Sequence, residues 1–136
     1  MKANELRVGN IVMCLGKEVE LIGISKWNGN NYTTLHYAEF QGLIPMKLFH
    51  LKPVPLTEEW LDNFGFDEFG LKQILKTDIY LQWDDYVKGV YLSTDIGDGS
   101  INDPNTEING IKYVHQLQNL YLSLVGEELE LKASTF

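Results

Sequence analysis

The sequence predicts an α+β protein: a small bent antiparallel β-sheet or SH3-like barrel, then a helix, a β-meander, an amphipathic helix and a closing strand. Three observations carry that expectation. Residues 1–52 hold short apolar runs of strand period, separated by Gly and Asn turn signals. Lys52-Pro53-Val54-Pro55 then breaks the pattern, because each proline fixes φ and lacks an N–H. Finally, residues 111–125 place Tyr113, Val114, Leu117, Leu120, Tyr121, Leu124 and Val125 on one face at helical spacing.

The first run, Leu6 to Met13, is interrupted at Gly9-Asn10, where a tight turn or bulge is expected because glycine tolerates backbone angles closed to other residues. Gly16-Lys17 separates it from the alternating run Glu18 to Ile24, so the two should form an antiparallel hairpin. Asn28-Gly29 is a type I′ turn signal, and Tyr32 to Tyr37, rich in β-branched and aromatic residues, reads as the returning strand. Phe40–Ile44 and Lys47–Leu51 complete the first module as two further short strands.

After the prolines, Thr57 suits the N-cap of a short helix over Glu58–Phe64. Its hydroxyl can accept a free backbone N–H, and Glu58 and Glu59 sit at the positive end of the helix dipole. Leu56 and Leu61 occupy hydrophobic-staple positions, and Gly65 is placed to end the helix. Leu71–Lys76, Ile79–Trp83 and Val87–Ser93 read as a meander. Thr94–Gly110 reads as a long loop, Ile111–Val125 as the main helix, and Glu127–Lys132 as an alternating closing strand. The expected modules are residues 1–52 and 53–136, either separate or sharing one core.

With 44% apolar residues the chain has the material for a packed core. It carries no apolar run of the roughly 20 residues a membrane span needs. Its one cysteine, Cys14, permits no intramolecular disulfide and fits a reducing compartment, and its first residues lack the apolar segment of a secretory signal, so a cytoplasmic location is expected. Net charge is −8 and uneven: residues 1–55 carry six basic and four acidic side chains, whereas residues 56–136 carry five and fifteen. Phosphate contacts dominate nucleic-acid affinity, so that partner is disfavoured for the second half; the acidity suits simple solubility, and also a basic partner or self-association into a homo-oligomer.

Catalytic and metal-binding patterns are weak. Cys14, His36 and His50 lie in or beside strands with no nucleophile elbow, Cys–His signature or P-loop around them. Asp95 to Glu107 fails the spacing of a calcium loop, and one cysteine with three scattered histidines makes a poor zinc set. The paired acids Asp84-Asp85 and Glu127-Glu128 read as solvated turns. No catalytic residue, metal or cofactor is therefore assigned. Two groups suit recognition instead. Trp27, Asn30 and Tyr32 flank a hairpin tip, where the rings can stack on a ligand or pair across the hairpin. His115, Gln116 and Asn119 lie on the polar side of the last helix, where amide and imidazole groups suit hydrogen bonds to a partner or to neighbouring backbone.

Three stretches carry a resemblance: the opening Met1-Lys2-Ala3-Asn4-Glu5-Leu6-Arg7-Val8-Gly9-Asn10, the segment Pro55-Leu56-Thr57-Glu58-Glu59-Trp60-Leu61 with Phe64-Gly65-Phe66, and Lys112-Tyr113-Val114-His115-Gln116-Leu117-Gln118-Asn119-Leu120-Tyr121 with Gly126-Glu127-Glu128-Leu129. Together they resemble small uncharacterised proteins of Bacteroidetes genomes and their phages. The resemblance implies a phage or prophage setting and no particular reaction. The expected function is then a non-catalytic accessory protein that binds a host protein or sequesters a small ligand such as a nucleotide signal. A structural or assembly component of a phage particle is one alternative, and a small hydrolase or nucleotide-modifying enzyme with an unfamiliar site is another.

Overall fold

The computed structural model describes residues 5–27, 30–37, 40–47, 51–74, 79–86, 88–94, 106–108 and 110–132. For residues 25–27, 30–37, 40–47, 94 and 106–107 it gives strand membership and register only. The protein is α+β, with two antiparallel sheets and two helices among the described residues.

The first sheet contains β1 (Ile11–Cys14), β2 (Lys17–Trp27), β3 (Asn30–Tyr37), β4 (Phe40–Lys47) and β5 (Leu51–Lys52), in the order β4-β3-β2-β1-β5. A turn at Leu15-Gly16 joins β1 to β2 as the hairpin expected from sequence, with Val12 opposite Val19. β2 and β3 pair from Glu20↔His36 to Trp27↔Asn30, with a shift at Leu21/Gly23 that makes Ile22 the extra, bulged residue. Such a bulge bends the strand and increases its twist. The Asn28-Gly29 turn itself lies outside the described residues. β4 differs from expectation: Phe40–Lys47 is one strand rather than the start of two, and only Leu51–Lys52 remains as a separate short strand. Its Pro45 is tolerated because β4 is an edge strand, where a missing N–H breaks no ladder on the open side. The outer strands β4 and β5 are not paired with each other among the described residues, so the sheet is bent and open and a closed SH3-like barrel is not formed. Leu6, Val12, Cys14, Val19, Leu21 and Leu51 form its buried core.

Helix α1 (Glu58–Asn63) begins where the sequence places it. The Thr57 hydroxyl accepts the Trp60 N–H at 3.3 Å, and Leu56 and Leu61 are both buried. Gly65 takes φ +87° directly after the helix, and Trp60 stacks on Phe64 with ring centroids 5.7 Å apart. The second sheet is the expected meander with one strand added: β6 (Leu71–Ile74), β7 (Ile79–Asp84), β8 (Gly89–Thr94) and β9 (Thr106–Ile108), in that order. β9 falls within the stretch expected to be loop. Three residues give too short a period-2 signal to be read, and they become a strand because β8 offers an open edge, with Val90 opposite Ile108.

Helix α2 (Val114–Val125) is the expected amphipathic helix, begun three residues later than expected because Tyr113 bridges to Pro55, and ended by Gly126 at φ +80°. The closing strand is not formed. Glu127–Lys132 lies outside both sheets, although its alternation survives as burial of Leu129 between exposed glutamates. Alternation alone cannot make a strand without an edge to pair with, and the Lys132 N–H donates instead to the Asn63 carbonyl at the end of α1 (2.7 Å).

The chain divides into two compact units. One comprises residues up to Pro55 with Tyr113–Leu120, and the other Leu56–Lys112 with Tyr121–Ala133. Expected within residues 53–136, α2 contributes its first half to the first unit. There the Val114 N–H donates to the Val54 carbonyl (2.9 Å), beside a bridge between Pro55 and Tyr113. In the second unit Leu61, Phe64, Phe66, Leu81, Trp83 and Val90 lead the buried core. No helix among the described residues is long and apolar enough to cross a membrane.

Candidate binding cleft

The polar groups of α2 are engaged inside the first unit. Asn10 follows the turn at Val8-Gly9 and is completely buried, so every polar atom of its amide needs a partner. Its Oδ1 accepts the Arg7 N–H at 2.8 Å, and its Nδ2 donates to Asn119 Oδ1 at 2.8 Å and to Gln118 Oε1 at 3.4 Å. Gln118 Oε1 also accepts the Ile11 N–H (2.9 Å), while its Nε2 donates to the Gly9 carbonyl (3.0 Å). Asn119 Nδ2 donates to the Glu5 carbonyl, and the Arg7 guanidinium donates to the Gln118 backbone carbonyl, both at 3.0 Å. These bonds use backbone groups that the irregular segment before β1 cannot pair in a ladder.

Of the α2 residues singled out from sequence, His115 is buried, and Gln116 and Asn119 are half-buried with internal hydrogen bonds. Gln116 Oε1 accepts the Tyr113 N–H at 3.1 Å, the return half of a capping box at the start of α2. His115 is buried and lies parallel to the Tyr113 ring, with centroids 6.0 Å apart. Burial pushes its pKa below the ordinary value, with Glu5 pulling it partly back. Its Nδ1 has no hydrogen-bond partner among the described residues. Gln118, which the helical spacing put at the border of the apolar face, takes part in three of these side-chain hydrogen bonds, as many as Asn10. Trp27, Asn30 and Tyr32 sit in register around the β2–β3 connection, with Trp27 opposite Asn30 and Tyr32 opposite Ser25. Their side chains lie outside the described residues.

The second unit contains a cleft of about 670 Å³ that the sequence reading did not single out. α1 contributes Glu58, Leu61 and Asp62 to it; β7 and the turn after it contribute Gln82 through Asp85. The segment Phe66–Gly70 and Lys132 complete the lining.

Two acidic turns shape this cleft in the same way. In the first, Asp67 Oδ1 accepts the N–H groups of Phe69 (2.9 Å) and Leu71 (3.0 Å), and the Gly70 N–H donates to the Asp67 carbonyl (3.0 Å). Gly70 holds φ +76°, and a Cβ there would lie 2.6 Å from the Trp83 carbonyl oxygen, so only glycine lets the turn close against β7. The Trp83 N–H donates to the Gly70 carbonyl at 2.8 Å, extending the β6–β7 ladder to the turn. In the second turn Asp84 Oδ1 accepts the Tyr86 N–H at 2.9 Å. Each turn presents an aromatic residue to solvent: Phe69 is 72% exposed and Tyr86 96%.

Six carboxylates line the cleft, against one ammonium group. Lys132 pairs with Asp62 at 3.2 Å. Lys88 pairs with Asp85 and holds that carboxyl below its usual range, with a minor contribution from the Trp83 indole. Glu58 and Glu68 are exposed and have no partner among the described residues. Trp83 is 7% exposed, and its indole N–H interacts with the Asp85 carboxyl without full hydrogen-bond geometry. Among those residues, no three His, Cys, Asp or Glu side chains are grouped to hold a metal ion. The missed signal was the repeated pattern of acid, acid and aromatic in Asp67-Glu68-Phe69 and Asp84-Asp85-Tyr86, which reads as ordinary turn chemistry until both acid pairs are seen to line one cleft.

Comparison with protein-family models, with curated proteins and with solved structures finds no match to this chain.

Proposed function

We propose that this protein acts by binding, as an accessory protein of phage or prophage type, and that a host protein docks on the cleft of the second unit. The observation supporting this reading is Phe69, an exposed aromatic side chain at the tip of a turn whose backbone is already hydrogen-bonded. A large apolar side chain on a backbone already held in place costs less ordering on contact, and a few aromatic residues commonly dominate docking energies. A nucleotide signal is less suited to this cleft, because carboxylates line it and repel phosphate. The phage setting is supported by the resemblance of the three sequence stretches alone.

The test is site-specific photo-crosslinking in host cells. A photoreactive amino acid in place of Phe69 should yield a discrete crosslinked host protein, and one in place of the exposed Val8 of the first unit should not. Equal, diffuse labelling from both positions, or none from Phe69, would count against docking at the cleft.

A further inference from the structure

We infer that Lys72 is a nucleophilic lysine, and that its side-chain amine is the preferred acceptor on this protein for small activated acyl groups, such as the acetyl group of acetyl phosphate. Three observations within the second unit lead to it.

The first is where β6 places the residue. Lys72 lies opposite Leu81, so by the alternation of strands it shares a sheet face with Ile74, Leu81, Trp83 and Val90, all of them buried. Lys17, Lys52, Lys88, Lys112 and Lys132 are exposed, whereas Lys72 is half-buried. The second is what surrounds its ammonium. Nζ lies 5.6 Å from the centroid of the Tyr121 ring and beside Gly65, where a Cβ would come within 2.9 Å of it. Among the described residues no carboxylate or carbonyl bonds this group. Burial, with Glu127 and Glu130, raises the pKa of Tyr121, so its phenol stays protonated and no phenolate forms beside the amine. The third is a neighbouring cation. Lys132, itself paired with Asp62 at 3.2 Å, repels positive charge on Lys72. Burial first, and then this repulsion, push the Lys72 pKa below its ordinary value. Desolvation and an adjacent cation both raise the neutral fraction of a lysine amine, the form that attacks. The amine lone pair adds to the acyl carbon and an N–C bond forms. The C–O bond to phosphate breaks, phosphate leaves with the electron pair, and the amine proton passes to water.

The test treats the full-length protein with acetyl phosphate at about pH 8. Remaining amines are then blocked with deuterated acetic anhydride under denaturing conditions, and peptide mass spectrometry reads the acetylation of each lysine. Lys72 should react about threefold faster than Lys17, Lys52 and Lys112, and its rate should level off at a lower pH than theirs. In urea the preference should vanish, because unfolding restores the ordinary pKa. Lys132→Gln changes an exposed side chain and should slow Lys72 about twofold while leaving Lys17 unchanged. p-Nitrophenyl acetate, a neutral donor, should give the same order of sites. A native rate at Lys72 no faster than at the exposed lysines, a shared pH profile, or a preference that survives urea would overturn the inference. So would a rate indifferent to Lys132→Gln, or a preference confined to acetyl phosphate, which would mark an anion-binding site in place of a nucleophilic amine.

Discussion

Asn10 Nδ2 donates to Asn119 Oδ1 at 2.8 Å, joining residues 109 positions apart, with Asn10 completely buried. Around this bond the turn before β1 and the first half of α2 share one amide network. Apolar packing of Leu117 and Val114 brings helix burial, but the amides determine which rotation of the helix satisfies the turn's backbone.

Replacing Asn10 by alanine leaves the Arg7 N–H and the Asn119 and Gln118 oxygens short of a partner. The expected loss is about 2–4 kcal/mol of unfolding free energy in urea, at constant m-value. A double-mutant cycle with Asn119→Ala should return a coupling of about 1 kcal/mol. Additive single losses would show that the bond contributes no coupling.

Gly70 and Gly16 both have positive φ, yet they should respond differently to alanine. At Gly16 nothing lies within 4 Å of the added Cβ, so the cost is the left-handed backbone alone, about 1 kcal/mol. At Gly70 the Cβ meets the Trp83 backbone, and about 3 kcal/mol is expected as the turn is forced off β7. Equal melting temperatures for the two variants would contradict this.

Because burial lowers the pKa of His115, the folded protein binds fewer protons than the unfolded chain, where histidine titrates near 6.5. The stability that depends on neutral His115 is fully present above about pH 6.5. It falls as the pH drops towards the folded value, with a slope approaching about 1.4 kcal/mol per pH unit. Urea titrations at several pH values should show this slope in the parent protein and a shallower one in His115→Gln. A stability that rises as pH falls through this window would reverse the sign and exclude the assignment.

Burial also raises the pKa of Cys14, which packs with Val12, Val19 and Leu51. The thiol should resist iodoacetamide at pH 8 in the native protein and react promptly in urea, since only the thiolate attacks and only opening exposes it. Rapid, complete labelling of the folded protein would show that this part of the first sheet opens readily.

Much of the fold was legible because it rests on local rules. Thr57, Gly65 and the Leu56–Leu61 pair announce α1, and the apolar face of 111–125 announces α2. β9 and the unformed closing strand were misread for one reason: both depend on whether a strand edge is available, which short segments do not encode. Gln118 looked like a border residue, because spacing gives the angle of a side chain and not what lies opposite it. The cleft was illegible for the same reason. Its carboxylates come from α1, two turns and β7, and each reads alone as a solvated charge.

The sequence by itself determined the α+β class, the two helices, the hairpins and the acidity of the second half, since periodicity, capping and composition act over a few residues. Only the tertiary structure decided that the amides of α2 turn inward to Asn10, and that Glu68, Phe69, Asp84 and Tyr86 belong to neighbouring turns. Those arrangements depend on long-range pairing, where buried backbone groups must find partners wherever the packed chain provides them.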